Sequence, residues 1–153
     1  MQSLDEYDKQ LLRLVQQNNR HTAEELAASV NLSSSAVQRR LKRLRADKII
    51  EADVSIVSTE VARLGLTCIV DVILEEGNSR ALEKFKSSLR RSPEVMQCYY
   101  VTGTYDFVLI VNVTDMRQYE EFTKKWLMDS PNVKHFYTHV VIDKVKQGYS
   151  IPI

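Results

Sequence analysis

The sequence predicts an α+β chain, a winged helix-turn-helix domain followed by a ferredoxin-like βαββαβ domain. Three observations predict it. The apolar period is helical up to Lys48 and strand-like beyond it. Within the helical part, two helices with N-cap residues are separated only by Val30-Asn31-Leu32. Past residue 65 the apolar runs read strand, helix, strand, strand, helix, strand. The expected divisions are residues 1–50 for the helix-turn-helix domain, with the motif at about 23–42, then 51–65 for wing and linker. Residues 66–153 would form the ferredoxin-like domain.

Tyr7, Leu11, Leu14 and Val15 recur at helical spacing and predict a first helix, which ends in the polar run Gln16 to His21. Thr22-Ala-Glu-Glu25 is a capping-box pattern: the Thr22 hydroxyl can accept from the Glu25 amide while the Glu25 carboxylate reaches back. The short helix it starts would bury Ala23, Leu26, Ala27 and Val30. Ser33 suits the N-cap of a third helix with Val37, Leu41 and Leu44 as its apolar stripe. Ile49-Ile50 and Val54 to Val57, separated by Glu51-Ala-Asp53, predict a small two-stranded wing. Thr59 to Gly65 reads as a linker or a further helical turn.

The second domain is expected as strand Leu66–Leu74, helix Ser79–Leu89, strands Val95–Thr102 and Tyr105–Val113, helix Met116–Met128 and strand Val133–Ile142. Leu82, Phe85 and Leu89 define one helix face, and Tyr119, Phe122 and Trp126 the other. Asp115 caps the second helix and Ser130-Pro131-Asn132 stops it. This arrangement covers one sheet face with both helices. The apolar alternation on the strands predicts that the opposite face is buried against another chain.

The 153 residues carry 21 Lys and Arg against 20 Asp and Glu, a net charge of +1. That balance excludes a uniformly basic nucleic-acid binder and an acidic disordered tail. The distribution is uneven, however: Ser33 to Lys48 holds Arg39, Arg40, Lys42, Arg43, Arg45 and Lys48 against Asp47 alone. On a helical wheel Ser35, Gln38, Arg39 and Lys42 lie opposite the apolar stripe, with Arg43 near them and Arg40 and Arg45 on its flanks. Such a helix can bury one face and offer the other to a DNA major groove. Arg suits guanine edges and Gln adenine edges, each worth ~1–3 kcal/mol of discrimination. Flanking Arg and Lys, with the hydroxyls of Thr22, Ser33, Ser34 and Ser35 at helix N-termini, suit phosphates. For Arg40 an ion pair inside the domain, to the preceding helix, stands equal to a phosphate contact.

No basic segment followed by an apolar run opens the sequence, and no apolar stretch approaches the ~18–20 residues of a membrane span. The expectation is a cytoplasmic, nucleoid-associated chain with no membrane partner. Cys68 and Cys98 fall in apolar, strand-like segments and read as two buried free thiols. His135 and His139 share a strand face but stand ~13 Å apart, too far for one metal. No phosphate loop, nucleophile elbow or paired carboxylates mark a catalytic site or a cofactor, and the acidic runs Glu75-Glu76 and Glu120-Glu121 read as solvated. No enzyme is expected.

Leu4-Asp-x-x-Asp8-x-x-Leu11-Leu12, Glu25-Leu-Ala and Asn31-Leu-Ser33-x-x-x-Val37-x-x-Arg40-Leu-x-Arg43-Leu44 resemble the start of the Lrp/AsnC family of transcription regulators. The resemblance continues through Val101-Thr-Gly103-Thr-Tyr-Asp106-Phe and Val140-Val-Ile-Asp-Lys-Val-Lys146. It implies a reader of double-stranded DNA joined to a ligand-sensing domain, assembling as dimers and then octamers. Lys48 stands where the family usually has Gly, which affects the wing's turn and adds a phosphate contact. Taken alone, Thr102-Gly103-Thr104-Tyr105-Asp106 is a hairpin whose Gly supplies a positive φ and whose Asp caps the turn. The resemblance implies an effector nearby, leucine or another small amino acid, between neighbouring dimers. Asp106 would meet its ammonium and the amides around Gly103, Thr104 and Tyr105 its carboxylate. Val140 and Val141 would border the same cleft, with Thr138, Tyr137 and Tyr100 as further candidates. The competing class is an architectural DNA-binding protein without an effector.

Overall fold

A computed structural model describes residues 3–75 and 78–153, so Glu76 of the acidic run lies outside the described residues. The chain forms two compact units, one running to Ile56 together with Lys146–Ile153, the other Val57–Val145.

In the first unit, α1 (Glu6–Gln17) begins at Asp5, whose carboxylate accepts from the Asp8 amide at 2.8 Å while the Asp8 carboxylate accepts from the Asp5 amide. The buried positions are Asp8, Leu11 and Leu12, with Val15 partly buried behind them, a spacing of three, four and seven residues. Tyr7 is therefore not part of the core stripe, as its spacing had suggested; it is exposed and Leu12 takes its place. α2 (Ala23–Val30) starts with the expected capping box, the Glu25 carboxylate accepting from the Thr22 amide at 2.8 Å. It ends at Asn31, whose φ of 55° is a left-handed conformation that Asn tolerates better than most residues. α3 (Ser34–Ala46) follows at once, with the Ser33 hydroxyl accepting from the Ala36 amide. Leu11, Leu12, Leu26, Ala27, Val30, Val37, Leu41 and Leu44 close one core.

The expected wing is not formed: no strand lies within 49–58. The reason is visible at the end of α3. The Ile49 amide donates to Leu44 O at 2.9 Å and the Lys48 amide to Arg45 O at 3.2 Å, a Schellman closure with Lys48 at φ 58°. The Ile50 amide is also drawn to Leu44 O. Amides that a wing would have used are spent on the helix end. Asp53 is held instead by Arg45, whose Nε and Nη2 donate to its carboxylate at 2.7 and 3.2 Å. The segment Lys146–Ile153, expected with the sheet, belongs to this unit. Gln16 and Ile151 exchange amide hydrogen bonds, Arg13 Nε donates to Ile153 O at 2.7 Å, and Ile153 packs on the helical core.

The second unit follows the order β1 (Leu66–Leu74), α4 (Ser79–Leu89), β2 (Val95–Tyr100), β3 (Phe107–Val113), α5 (Met116–Thr123) and β4 (Val133–Val140). The Thr102–Tyr105 loop, the π turn Lys124–Met128 after α5, and the segment past Val140 take residues that the sequence had assigned to regular elements. The antiparallel sheet has strand order β2-β3-β1-β4. Cys68, Val70, Val72 and Leu74 of β1 and Phe107, Leu109, Val111 and Val113 of β3 share the face covered by Phe85, Leu89, Tyr119 and Phe122. Phe85 meets Phe107 edge-on with ring centroids 5.0 Å apart. The other face carries Ile69, Asp71, Ile73, Val108, Ile110, Tyr99, Tyr137 and His139, and in the single chain these residues retain exposure. Both cysteines are free, but only Cys68 is buried; Cys98 lies on the edge strand β2, where no further strand covers it. No helix among the described residues is long and apolar enough to cross a membrane, and no cluster of His, Cys, Asp and Glu among them can hold a metal.

Two predictions follow from this architecture. A lysine in the left-handed region costs roughly 1 kcal/mol relative to glycine, so Lys48→Gly stabilises the helical unit by up to about that amount in a urea melt, whereas Lys48→Val destabilises it. Four carboxyls of the helical unit are held below the usual range: Asp5 by the Asp8 amide and then Arg40, Glu6 by Lys9, Glu25 by the Thr22 amide, and Asp53 by Arg45. Carboxyls lowered by folding contribute stability above their unfolded pKa, about 4, and lose it as pH falls through the folded values. The midpoint of a urea melt followed by circular dichroism should hold from pH 7 to about 5 and fall below about 4; an unchanged midpoint at pH 2 would contradict this.

Candidate DNA-reading helix and effector region

The apolar stripe of α3 fixes which of its polar residues face outward. With Val37, Leu41 and Leu44 buried, Ser33, Ser35, Gln38, Arg39 and Lys42 are exposed, and Ser34, Arg40 and Arg43 are partly covered. Thr22 is exposed at the start of α2, although its hydroxyl already accepts from the Glu25 amide. Ser33 and Ser35 share a hydroxyl contact at 3.1 Å beside the helix N-terminus.

Arg40 is ion-paired, and the acids come from α1 rather than from the preceding helix. Its Nη1 donates to Asp5 Oδ2 at 2.7 Å and to Asp8 Oδ1 at 2.8 Å, and its guanidinium stands over the Tyr7 ring at 5.5 Å. Arg43 Nη2 donates to the second Asp8 oxygen, while Arg43 Nε is buried with no partner among the described residues. The hydrogen bonds that Arg40 donates to Asp5 and Asp8 raise its pKa further. Asp8 is 1% exposed, so its charge is tolerable only because two guanidinium groups meet it. Arg45 is committed to Asp53. Of the six cations of this stretch, Arg39, Lys42 and Lys48 have no ion pair among the described residues. Sequence reasoning missed Asp5 and Asp8; their signal was two acids three residues apart at a helix start, opposite a run of Arg.

The hairpin after β2 is closed by the Val101 amide donating to Asp106 O at 2.9 Å. Gly103 has φ 118°, and nothing lies within 4 Å of where its Cβ would be, so the backbone conformation rather than crowding calls for glycine. Asp106 is tied to β1: its Oδ2 accepts from the Leu74 amide at 2.8 Å and its own amide donates to Val72 O. It therefore caps the end of a neighbouring strand rather than its own turn. The Tyr105 ring lies tilted against that of Tyr137, centroids 5.9 Å apart, and Thr104 is exposed.

The remaining effector candidates are elsewhere. Thr138 pairs with Val70 on the helix-covered face, and its hydroxyl is hydrogen-bonded to Tyr119, which removes it from an open cleft. Tyr100 is on that same side, against Phe107 and beneath Lys86. Val140 lies opposite Cys68, whereas Asp106 is one step beyond the Val72–Phe107 pair. Five strand residues at ~3.4 Å each separate them by ~17 Å. Within one chain Val140, Val141 and the hairpin do not border one cleft. Val141 instead lines a recess of about 440 Å³ with Arg63, Lys144, Glu60 and Asp143.

Residues 4–45 match the AsnC-type helix-turn-helix domain and residues 67–151 the Lrp/AsnC ligand binding domain. An HTH-type transcriptional regulator of Sinorhizobium fredii is 51% identical, covering 98% of this chain and 89% of that one. A DNA-binding transcriptional activator of Escherichia coli is 32% identical over 98% of this chain and 99% of its own. Among solved structures, a Neisseria meningitidis transcriptional regulator in complex with L-Met superimposes with a TM-score of 0.93 at 33% identity, covering 98% of this chain and 97% of that chain. A basic helix with one buried and one open face, a βαββαβ sheet unit, and these matches over nearly the whole length lead to one conclusion: the chain belongs to the Lrp/AsnC family of DNA-binding transcription regulators.

Proposed function

We propose that the chain is a sequence-specific transcription regulator in which α3 reads the major groove and a small amino acid, bound by the second unit, alters the reading. The observation that carries this is the outer face of α3, where Gln38, Arg39 and Lys42 stand exposed and, among the described residues, without ion pairs. Gln38 and Arg39 would contact base edges, and Lys42 and the amides and hydroxyls at Ser33, Ser34, Ser35 and Thr22 would contact phosphates. Arg43 would add a phosphate contact only through the edge that Asp8 leaves open, and Arg40 would contribute by positioning. The protein works without catalysis or cofactor, in the cytoplasm at the nucleoid.

Assembly completes the sensing site. The half-exposed sheet face with Ile69, Ile73, Val108 and Ile110 supports dimerisation through that face. The hairpin at Gly103–Asp106 of one copy and Val140 and Val141 of another would then form the effector cleft between dimers of an octamer. Asp106 would meet the effector ammonium and the amides near Gly103 and Thr104 its carboxylate, with Tyr105 closing one side. The L-Met complex of the Neisseria relative favours an apolar amino acid.

Two experiments test this reading. Gln38→Ala and Arg39→Ala should each lower affinity for a selected operator by ~1–3 kcal/mol while affecting random DNA much less; equal losses on both would contradict base reading. In a thermal-shift screen of the twenty amino acids, a true effector at 100 times its Kd adds about 2.7 kcal/mol of stability, and Asp106→Ala should abolish that shift. Twenty null results would contradict the effector site.

A further inference from the structure

We infer that Asp5 and Asp8 set DNA specificity from within the fold: their carboxylates occupy the guanidinium groups of Arg40 and Arg43 where phosphates would otherwise bind, and so hold down affinity for random DNA. The inference rests on the DNA-reading function proposed above.

A guanidinium presents the same forked donors to a carboxylate as to a phosphate, so one partner excludes the other at a given edge. Arg40 gives one nitrogen to both Asp5 Oδ2 and Asp8 Oδ1, and Tyr7 lies against its face. Arg43 gives Nη2 to Asp8, and its Nε is buried. The acids stand on α1 and its cap, and therefore move with the core rather than with a loop. Side-chain exposures of 21% for Arg40 and 40% for Arg43, against 1% for Asp8, show where release would lead. A guanidinium freed from Asp8 has open surface to turn towards, whereas the carboxylate has none.

The consequence is a restrained electrostatic background. Non-specific affinity comes from released counterions, with log K falling by about 0.9 per log unit of salt for each neutralised phosphate. A helix presenting all six cations would bind any duplex firmly. One presenting Arg39, Lys42 and Lys48 leaves more of the decision to base contacts. Asp5 and Asp8 are thus positioning residues: they touch no DNA and act through the arginines they hold.

The test measures binding of the full chain to a random duplex across a salt series for the wild type, Asp8→Asn, Asp5→Asn and Asp8→Glu. Asn is a good N-cap, so Asp5→Asn keeps the start of α1 and decides the question if Asp8→Asn does not fold by circular dichroism. The expected result is tighter random-DNA binding in both Asn variants, with a salt slope steeper by about 1 per reading head in Asp8→Asn, which frees Arg43 while Arg40 keeps Asp5, and by less than that in Asp5→Asn, where Arg40 keeps Asp8. Selectivity for operator over random DNA falls, and Asp8→Glu returns the slope towards wild type. A slope that is unchanged or shallower, with random-DNA affinity unchanged or weaker, overturns the inference and makes the acids purely structural. Absence of salt-dependent binding by the wild-type protein would instead overturn the DNA-reading function itself.

Discussion

One buried carboxylate organises the helical unit. Asp8 caps α1 by accepting from the Asp5 amide, and its two oxygens receive Arg40 and Arg43 of α3 from across the core. Hydrophobic contacts among Leu11, Leu26, Val37 and Leu44 bring the three helices together, but such contacts are non-directional and tolerate rotation about a helix axis. A charge that cannot reach water does not tolerate it. Removing either partner of a buried pair typically costs about 3–5 kcal/mol because the other is left uncompensated. The pairing therefore sharpens the rotation of α3 that its buried stripe of Val37, Leu41 and Leu44 already favours, the one that turns Gln38, Arg39 and Lys42 outward. Position in the fold, rather than count of basic residues, determines which cations are available.

Much of this was legible in the sequence, for reasons that can be stated. The Thr22–Glu25 capping box and the Ser33 cap are local rules, satisfied within four residues, and both form as expected. The strand and helix order of the second unit follows from apolar period, which burial enforces along every element. What failed depended on competition between partners distant in sequence or between rival hydrogen bonds. Ile49 and Ile50 have strand propensity, yet their amides are captured by Leu44 O one turn back. Tyr7 has helical spacing, but Asp8 and Leu12 are what α3 requires at the interface, and the aromatic ring is left for Arg40. Lys48 shows the reverse: an unusual residue at a glycine position still adopts the left-handed backbone, because the Schellman closure dictates it.

The candidate effector residues were less legible because strand alternation and distance along the sheet are invisible in a motif. Thr138 and Tyr137 are neighbours in sequence and face opposite sides, one hydrogen-bonded to Tyr119 and the other tilted against Tyr105. Asp106 and Val140 read as one set by resemblance, yet the register separates them by the length of a strand. A site made from both requires two copies of the chain. In the proposed site assembly would therefore take part in sensing, since ligand and subunit contact would stabilise each other. The sensing unit is also continuous in sequence with the reading unit at both ends, through Ile56–Val57 and Val145–Lys146, and the returning segment is fastened to α1 by Gln16 and Arg13.

The measurement that tests this account most directly is the Kd of the full chain for a selected operator in the presence of each amino acid in turn. Coupling between two sites is typically worth 1–3 kcal/mol. At least one small apolar amino acid should shift the operator Kd by about 5–150-fold, and the shift should disappear in Asp106→Ala. An operator Kd that is the same with all twenty amino acids would contradict it.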